Sequence, residues 1–372
     1  MTAGEIAGGM AVRARGALFG LAIGDALGMP TESLPRAEIV RRYGTVVDGF
    51  HAGPADQPVA PGLPAGTVTD DTEQAVMLGR LLVENHGVLE PQAIATALLD
   101  WEQSMRARGW LALIGPSTRR ALDAILAGED VSRTGSTGTT NGAAMRIAPI
   151  GVATPADSQD LLISRVVAAS MVTHHTGVAL AGAAAVAAAV AAGVGGATVS
   201  EALSAGASTA AVAAGLGYWV AAADVGERIR WAASLTASAA DGGLAGLAGS
   251  TLSLGNGEAA DRVLDLVYRL VGTSLASQES VPAAFAIAAA CPDDAWTGCR
   301  LAASVGGDCD TIAAMTGAIL GACLGEDAFP AAARRLVSEV NDIDLPGLAA
   351  GLLAVRERGD SGGHGGGPPA SP

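Results

Sequence analysis

The chain has 372 residues and a formal charge of -15; half of its residues are hydrophobic, yet only 3% are aromatic. This balance excludes a broad electrostatic partnership with nucleic acid or an anionic membrane, which depends on clustered Lys and Arg. The length suffices to bury a core without staples, and 51 glycines among abundant Ala, Val and Leu favour closely packed helices over strands.

From Val12 to Leu27 apolar residues recur at helical spacing until Gly28-Met29-Pro30 breaks the pattern, so residues 1–11 read as a flexible lead. A Gly/Pro-rich irregular segment spans Gly44 to Gly66, and Thr69-Asp70-Asp71-Thr72-Glu73 then opens a helix to Glu84. Pro91 to Met105 and Pro116 to Leu126 are helices with Pro near the first position. Ser132 to Gly142 is a polar loop, too rich in Gly and hydroxyls to be helical.

Helical patterns resume over Ala143 to Ile150, Gln159 to Met171, Thr176 to Ala192 and Ser200 to Ala223. Weaker ones cover Gly226 to Ala239, Ala259 to Gly272 and Pro282 to Ala290. Asp293 to Val305, Asp310 to Leu324, Pro330 to Val340 and a short helix near Leu348 complete an all-α domain over residues 12–356. The Gly/Pro-rich tail, 357–372, cannot bury a core and is expected to be disordered. Its Gly359-Asp360-Ser361-Gly362-Gly363 string matches a serine-nucleophile pattern, but the tail supplies no fold to place the His and Asp such a serine needs.

Val178 to Val194 is apolar but dominated by Ala and Gly, which predicts a buried helix and not a membrane span. Cys291, Cys299, Cys309 and Cys323 form no CxxC pair or Cys/His zinc spacing, and the N-terminus has no secretory pattern. Reduced thiols in a cytoplasmic protein are the expectation.

Two acidic clusters stand out, Thr69-Asp70-Asp71-Thr72 and Asp308-Cys309-Asp310-Thr311, each opening an apolar helix. Helix capping is the ordinary explanation, since Glu73 follows Asp70 and Gln74 follows Asp71 at capping-box spacing. One cap needs one oxygen, however, and each cluster offers two carboxylates and a hydroxyl. Crowded carboxylates call for a cation between them, and these oxygens suit Mg²⁺ or Mn²⁺ better than zinc.

In this order the motifs resemble the ADP-ribosylglycohydrolase family, of the dinitrogenase reductase-activating and ADP-ribosylhydrolase type. Gly16 to Gly28 with Glu32 is similar to the family's opening helix and acidic loop, and Thr69 to Thr72 to its first metal motif. Thr140-Asn141-Gly142-Ala143-Ala144-Met145-Arg146 with Thr173-His174 is similar to its ligand loop, and Gly306 to Thr311 to its second metal motif. The likeness extends from about Gly16 to Gly325.

This resemblance implies a single multi-helix domain whose cleft holds two Mg²⁺ or Mn²⁺ ions. Thr69, Asp70 and Asp71 would supply one ligand set and Asp308, Asp310 and Thr311 the other. Glu32 would be the catalytic residue, accepting a proton from water or positioning the substrate. Asn141, Gly142, Ala143, Met145 and His174 would bind substrate, with loop N–H groups and the helix beginning at Ala143 facing the diphosphate. Arg146 reads as a brace, and Asp25 as a buried hydrogen-bond partner near a helix end. Cys309 departs from the family pattern and would put an oxidisable thiol beside the metals.

The implied reaction is cleavage of an N- or O-glycosidic bond to release ADP-ribose from a modified protein or small acceptor, with no stable nucleic-acid partner and no membrane. The acceptor linkage and the oligomeric state stay open. A non-catalytic ADP-ribose-binding or crystallin-like structural member of the same fold is the first alternative. A dimetal nucleotide or phosphate hydrolase is the second.

Overall fold

Helices rich in Ala and Gly can approach until their backbones touch, and one such contact organises this protein. The computed structural model describes the backbone of residues 3–241 and 257–362. In chain order come α1 (Ala3–Gly28), α2 (Arg36–Tyr43), α3 (Asp70–Glu84), α4 (Pro91–Arg108), α5 (Pro116–Leu126) and α6 (Gly142–Met145). They are followed by α7 (Ala148–Val152), α8 (Gln159–Ser170), α9 (Gly177–Val194), α10 (Val199–Ala213), α11 (Val225–Asp241) and α12 (Gly257–Leu266). The last five are α13 (Ser277–Ala290), α14 (Ala295–Ala302), α15 (Cys309–Leu324), α16 (Ala331–Asn341) and α17 (Leu345–Gly362). Among the described residues there is no strand beyond three isolated bridges, in agreement with the all-α expectation.

Helix α1 lies antiparallel to α15. A Cβ at Gly20 would fall 2.0 Å from the Gly317 carbonyl oxygen, and one at Gly16 2.3 Å from that of Gly321. At the end of the ladder a Cβ at Gly28 would fall 2.3 Å from the Asp310 Cα. Only glycine permits such an approach. The C-terminus of α1, which leads to Glu32, is thereby set against the N-terminus of α15, which carries Asp310. Helix α9 is long and apolar enough to cross a membrane, but 94% of it is buried within the protein, as expected of a core helix.

Several boundaries differ from those read in sequence. Helix α1 begins at Ala3, not Val12, so most of the expected flexible lead is helical. At the other end α17 reaches Gly362, where disorder was expected from 357. Leu352 and Val355 are buried and Arg356 donates to the carbonyls of Gly151, Val152, Thr154 and Ala191, which anchors that helix near its end. Residues 363–372, the remainder of the expected tail, lie outside the described residues.

The short α2 was missed, having too few apolar residues for a period to register. The helix expected over Ala143 to Ile150 is split into α6 and α7 because Pro149 has no N–H for the Met145 carbonyl and its ring would clash there. The helix expected to reach Ala223 stops at Ala213, and the following segment pairs with His175 and Gly177 instead.

Candidate metal centre and cleft

Three segments deliver carboxylates to one place: the end of α1 with the loop after it, and the first turns of α3 and α15. Each helix N-terminus favours negative charge. Neither acidic cluster caps its helix, because the N-cap residues Thr69 and Asp308 make no side-chain capping bond. Glu73 and Gln74 serve elsewhere, Glu73 binding Trp101 Nε1 and Arg108, and Gln74 accepting from Arg146. The capping explanation therefore fails.

Oxygens of Asp25, Asp71 and Asp310 lie within 4.8 Å of one another, as do those of Glu32, Asp308 and Asp310. The two motifs thus share one centre, with Asp310 common to both groups. Thr311 Oγ1 donates to Asp71 Oδ2 at 3.4 Å, joining the motifs directly. Two buried carboxylate oxygens, Glu32 Oε2 and Asp71 Oδ1, have no hydrogen-bond partner. An unpaired buried carboxylate oxygen is costly unless a cation meets it, so this donor set fits hard divalent ions.

Burial, joined by neighbouring charge at every one but Asp308, holds these acids above the carboxylate range. Glu32 is pushed up to about 8 by burial and by Asp308, and Asp25 to about 8 by burial and by Asp71. Asp71 rises to about 7 and Asp308 to about 6, and Asp70 and Asp310 are raised as well. Asp25 differs in being saturated: both its oxygens receive the Thr69 N–H at 3.0 Å, and Oδ2 also receives the Thr72 N–H at 3.1 Å and its hydroxyl at 2.5 Å. As expected it is a buried hydrogen-bond partner, and it holds the start of α3 in place.

Beside the centre is a cavity of about 150 Å³, walled by Glu32, Asp70, Asn141, Gly142, Met145, Asp308, Asp310 and Thr311. A larger groove of about 590 Å³ runs along the other face of α3, past Glu73, Arg108 and Trp110, and touches none of the clustered carboxylates. The chemistry belongs to the smaller cavity.

The remaining residues expected here stand further back. Thr69 is fully buried, its hydroxyl within reach of both Asp25 and Asp71. Ala143 is buried and lies outside the cavity wall. His174, expected to contact substrate, is fully buried behind Gly142, with Nε2 2.9 Å from Thr140 Oγ1 and Nδ1 2.7 Å from Thr173 Oγ1. It braces the loop and does not face the cavity. Asn141 does line the cavity, yet its amide donates to Asp308 Oδ2 and Ser280 Oγ, which makes it a holder of the second motif.

The loop is also less open to a diphosphate than expected. Its Gly138 and Asn141 N–H groups bond to the carbonyls of Gly135 and Leu275, and α6 is only four residues long. Arg146 braces, donating to Gln74, Thr173 and the Ala169 carbonyl. Cys309 is fully buried and burial pushes its thiol up to about 12, an environment that disfavours the thiolate and the access that oxidation requires.

Sequence reading passed over Gln57. It is 2% exposed, donates to the carbonyls of Met29 and Glu32 at 3.1 Å each, and accepts from the N–H groups of Val59 and Ala60. This clip ties the irregular segment to the Glu32 loop, whose other side is held by Ser33 N–H to Gly307 O at 2.7 Å. No motif marks a glutamine within a Gly/Pro-rich loop.

The model of the ADP-ribosylglycohydrolase family matches residues 9–361. An uncharacterized protein of Escherichia coli K12, YegU, is 32% identical over 346 residues, covering 93% of this chain and 98% of that protein. The ADP-ribosyl-[dinitrogen reductase] glycohydrolase of Rhodospirillum rubrum is 32% identical over 167 residues, 44% of this chain and 51% of that one. Among solved structures, an ADP-ribosylglycohydrolase-related protein complex aligns with a TM-score of 0.62 and 25% identity, covering 93% of this chain and 98% of that chain. With a full-length family match, a shared fold and the carboxylate centre expected of its motifs, the chain belongs to the ADP-ribosylglycohydrolase family.

Proposed function

We propose that this protein hydrolyses the glycosidic bond between ADP-ribose and a side chain of a modified protein, using two divalent cations. The observation that carries this reading is the convergence of Glu32, Asp71, Asp308 and Asp310, two of them with an unpartnered buried oxygen, beside one cavity whose wall includes Glu32, Asp308 and Asp310. A purely structural role gives no account of such crowding, because unneutralised like charges in a buried cluster oppose folding. The Rhodospirillum rubrum relative, named as a glycohydrolase for an ADP-ribosylated reductase, supports a protein acceptor.

Asp71, Asp308 and Asp310 would hold the cations, with Thr311 and Asp70 beside them. When bound, Mg²⁺ or Mn²⁺ orients hydroxyl groups and acidifies water. Glu32, at the cavity wall, accepts the proton of the water that attacks the anomeric carbon, and its unpartnered Oε2 is the receiving atom. Asn141 keeps Asp308 turned to the centre, Asp25 fixes the first turn of α3, and Gln57 fixes the Glu32 backbone. Such fixed placement contributes to rate by orientation.

The test is release of intact ADP-ribose, followed by mass spectrometry, from proteins ADP-ribosylated separately on Arg and on Ser. Mg²⁺, Mn²⁺ and EDTA are compared, with Asp310→Ala and Glu32→Ala alongside. Cation-dependent release abolished by both substitutions supports the reading. Release of AMP or phosphate in its place would assign the centre to phosphate chemistry, and tight ADP-ribose binding without release would favour the non-catalytic alternative.

A further inference from the structure

The cavity beside the carboxylate centre is walled by Glu32, Asp70, Asp308 and Asp310 but, among the described residues, by no Lys or Arg. A diphosphate entering it must be met by other donors. Arg146 is engaged with Gln74, Thr173 and the Ala169 carbonyl, and the Gly138 and Asn141 N–H groups of the loop are bonded to backbone carbonyls.

The same wall contains the start of α5, an 11-residue helix, through Gly115, Pro116 and Thr118. Its N-cap is Gly115, which has no side chain to cap with, and Pro116 at the first position has no N–H. The first backbone bond of the helix is Arg119 N–H to the Gly115 carbonyl at 3.0 Å, which leaves the Ser117 and Thr118 N–H groups without an acceptor among the described residues. Thr118 is 2% exposed, and its hydroxyl has no hydrogen-bond partner yet is not sealed within the protein, so it opens on the cavity that the residue lines. The helix end is held in place: Thr140 Oγ1, on a residue of the same wall, donates to Ser117 Oγ at 2.9 Å, Arg120 donates to that oxygen at 3.1 Å, and Arg119 donates to the Leu111 carbonyl.

We propose that the start of α5, with the Thr118 hydroxyl, receives a phosphate of the substrate's ADP-ribose. The inference rests on the function proposed above. An uncapped helix N-terminus meets an anion with its free N–H groups and its dipole, and Thr118 adds an O–H from the same residue. Neutral donors suit this wall better than a cationic side chain would. A Lys or Arg placed there would be drawn onto the neighbouring carboxylates, whereas a hydroxyl and an N–H stay free for the ligand. A buried hydroxyl left unpaired costs free energy until something meets it, and a phosphate oxygen does so.

The experiment titrates ADP-ribose in Mg²⁺ into wild type, Thr118→Val and Thr118→Ser by calorimetry and follows the bound ligand by phosphorus NMR. Val keeps the shape of Thr, and the hydroxyl bonds nothing within the protein, so the ligand-free variant should melt with wild type. The expected result is an affinity reduced about tenfold or more by Val, the worth of a hydrogen bond to a charged group, and restored by Ser, with one of the two phosphorus resonances moved in the Val variant. Equal affinity in wild type and Val, a loss that Ser does not restore, or unmoved resonances would overturn the subsite. Inorganic phosphate is the other source of the same chemistry: if wild type holds it as tightly as ADP-ribose, the helix end is a free-anion site and the proposal falls. If wild type binds no ADP-ribose, the proposed function fails and the subsite with it; if wild type binds it and cuts the modified protein while Val binds equally well, only the subsite falls.

Discussion

Thr311 Oγ1 reaches Asp71 Oδ2 at 3.4 Å although the two residues are 240 positions apart. One centre therefore draws on both acidic motifs, and removing a carboxylate from either should disable the whole. Asp71→Ala and Asp310→Ala are each expected to abolish the rise in melting temperature produced by Mg²⁺ or Mn²⁺. In EDTA the same variants should melt at or above wild type, since each removes a like charge from a buried cluster. A cation-free variant that melts well below wild type would contradict this.

Glu32 lines the cavity and keeps an unpartnered oxygen. Glu32→Gln is expected to lower kcat by about 10²- to 10⁴-fold, the usual contribution of a positioned general base. Steady-state kinetics on the modified protein measures it. A loss confined to KM would make Glu32 a binding group.

Gln57 acts on Glu32 through the backbone, and Gln57→Leu keeps its bulk while removing all four hydrogen bonds. The expected outcome is a kcat reduced about tenfold or more by misplacement of the base, the order seen when a supporting group is lost, with KM nearly unchanged and the cation-induced melting shift retained. Equal damage to cation binding would mean that the clip merely holds the fold together.

His174 gives a pH signature. Burial holds it neutral, its pKa well below the ordinary 6.5. As pH falls through about 6.5 the unfolded chain takes up a proton that the folded chain refuses, so this residue's contribution to stability is full above that pH and declines below it. The slope is at most about 1.4 kcal/mol per pH unit. His174→Gln retains a donor and an acceptor without titrating, so the difference in unfolding free energy between wild type and variant should shift against wild type from pH 7 to pH 5. A pH-independent difference would contradict the assignment.

Gly317 approaches Gly20 so closely that a Cβ would meet its carbonyl oxygen at 2.0 Å. Gly317→Ala must push α1 and α15 apart. A loss of about 1–3 kcal/mol or more is expected from such overpacking, read by urea denaturation, together with weakened cation binding because Asp310 rides on α15 and the Glu32 loop leads directly out of α1. An unchanged midpoint would show that the contact can relax.

Much of this was legible in the chain. The small-residue composition pointed to helices, and the acidic pairs at Asp70-Asp71 and Asp308-Asp310 stood out because they exceeded what two caps need. What could not be read was partnership in space. Asp310 belongs equally to two carboxylate groups, His174 turns into the loop and away from the cavity, and Gln57 acts through two backbone carbonyls; none of these follows from residue type or spacing. The split between α6 and α7 was recoverable from Pro149, and α2 was not, since its stability comes from contacts such as Arg36 with Asp261 and the Ser304 carbonyl.

The ladder between α1 and α15 has a repeat of four residues, from Gly16 against Gly321 to Gly20 against Gly317. One helix cannot slide along the other by a fraction of that repeat without driving a side chain into a backbone, so the next position that fits lies about 6 Å away at 1.5 Å per residue. Displacement at this contact is therefore stepwise. With respect to sliding, a molecule either has the Glu32 loop and Asp310 in register or has lost the centre outright, so a slip along the ladder, unlike the widening that Gly317→Ala imposes, should change the fraction of competent molecules while each survivor turns over at the normal rate.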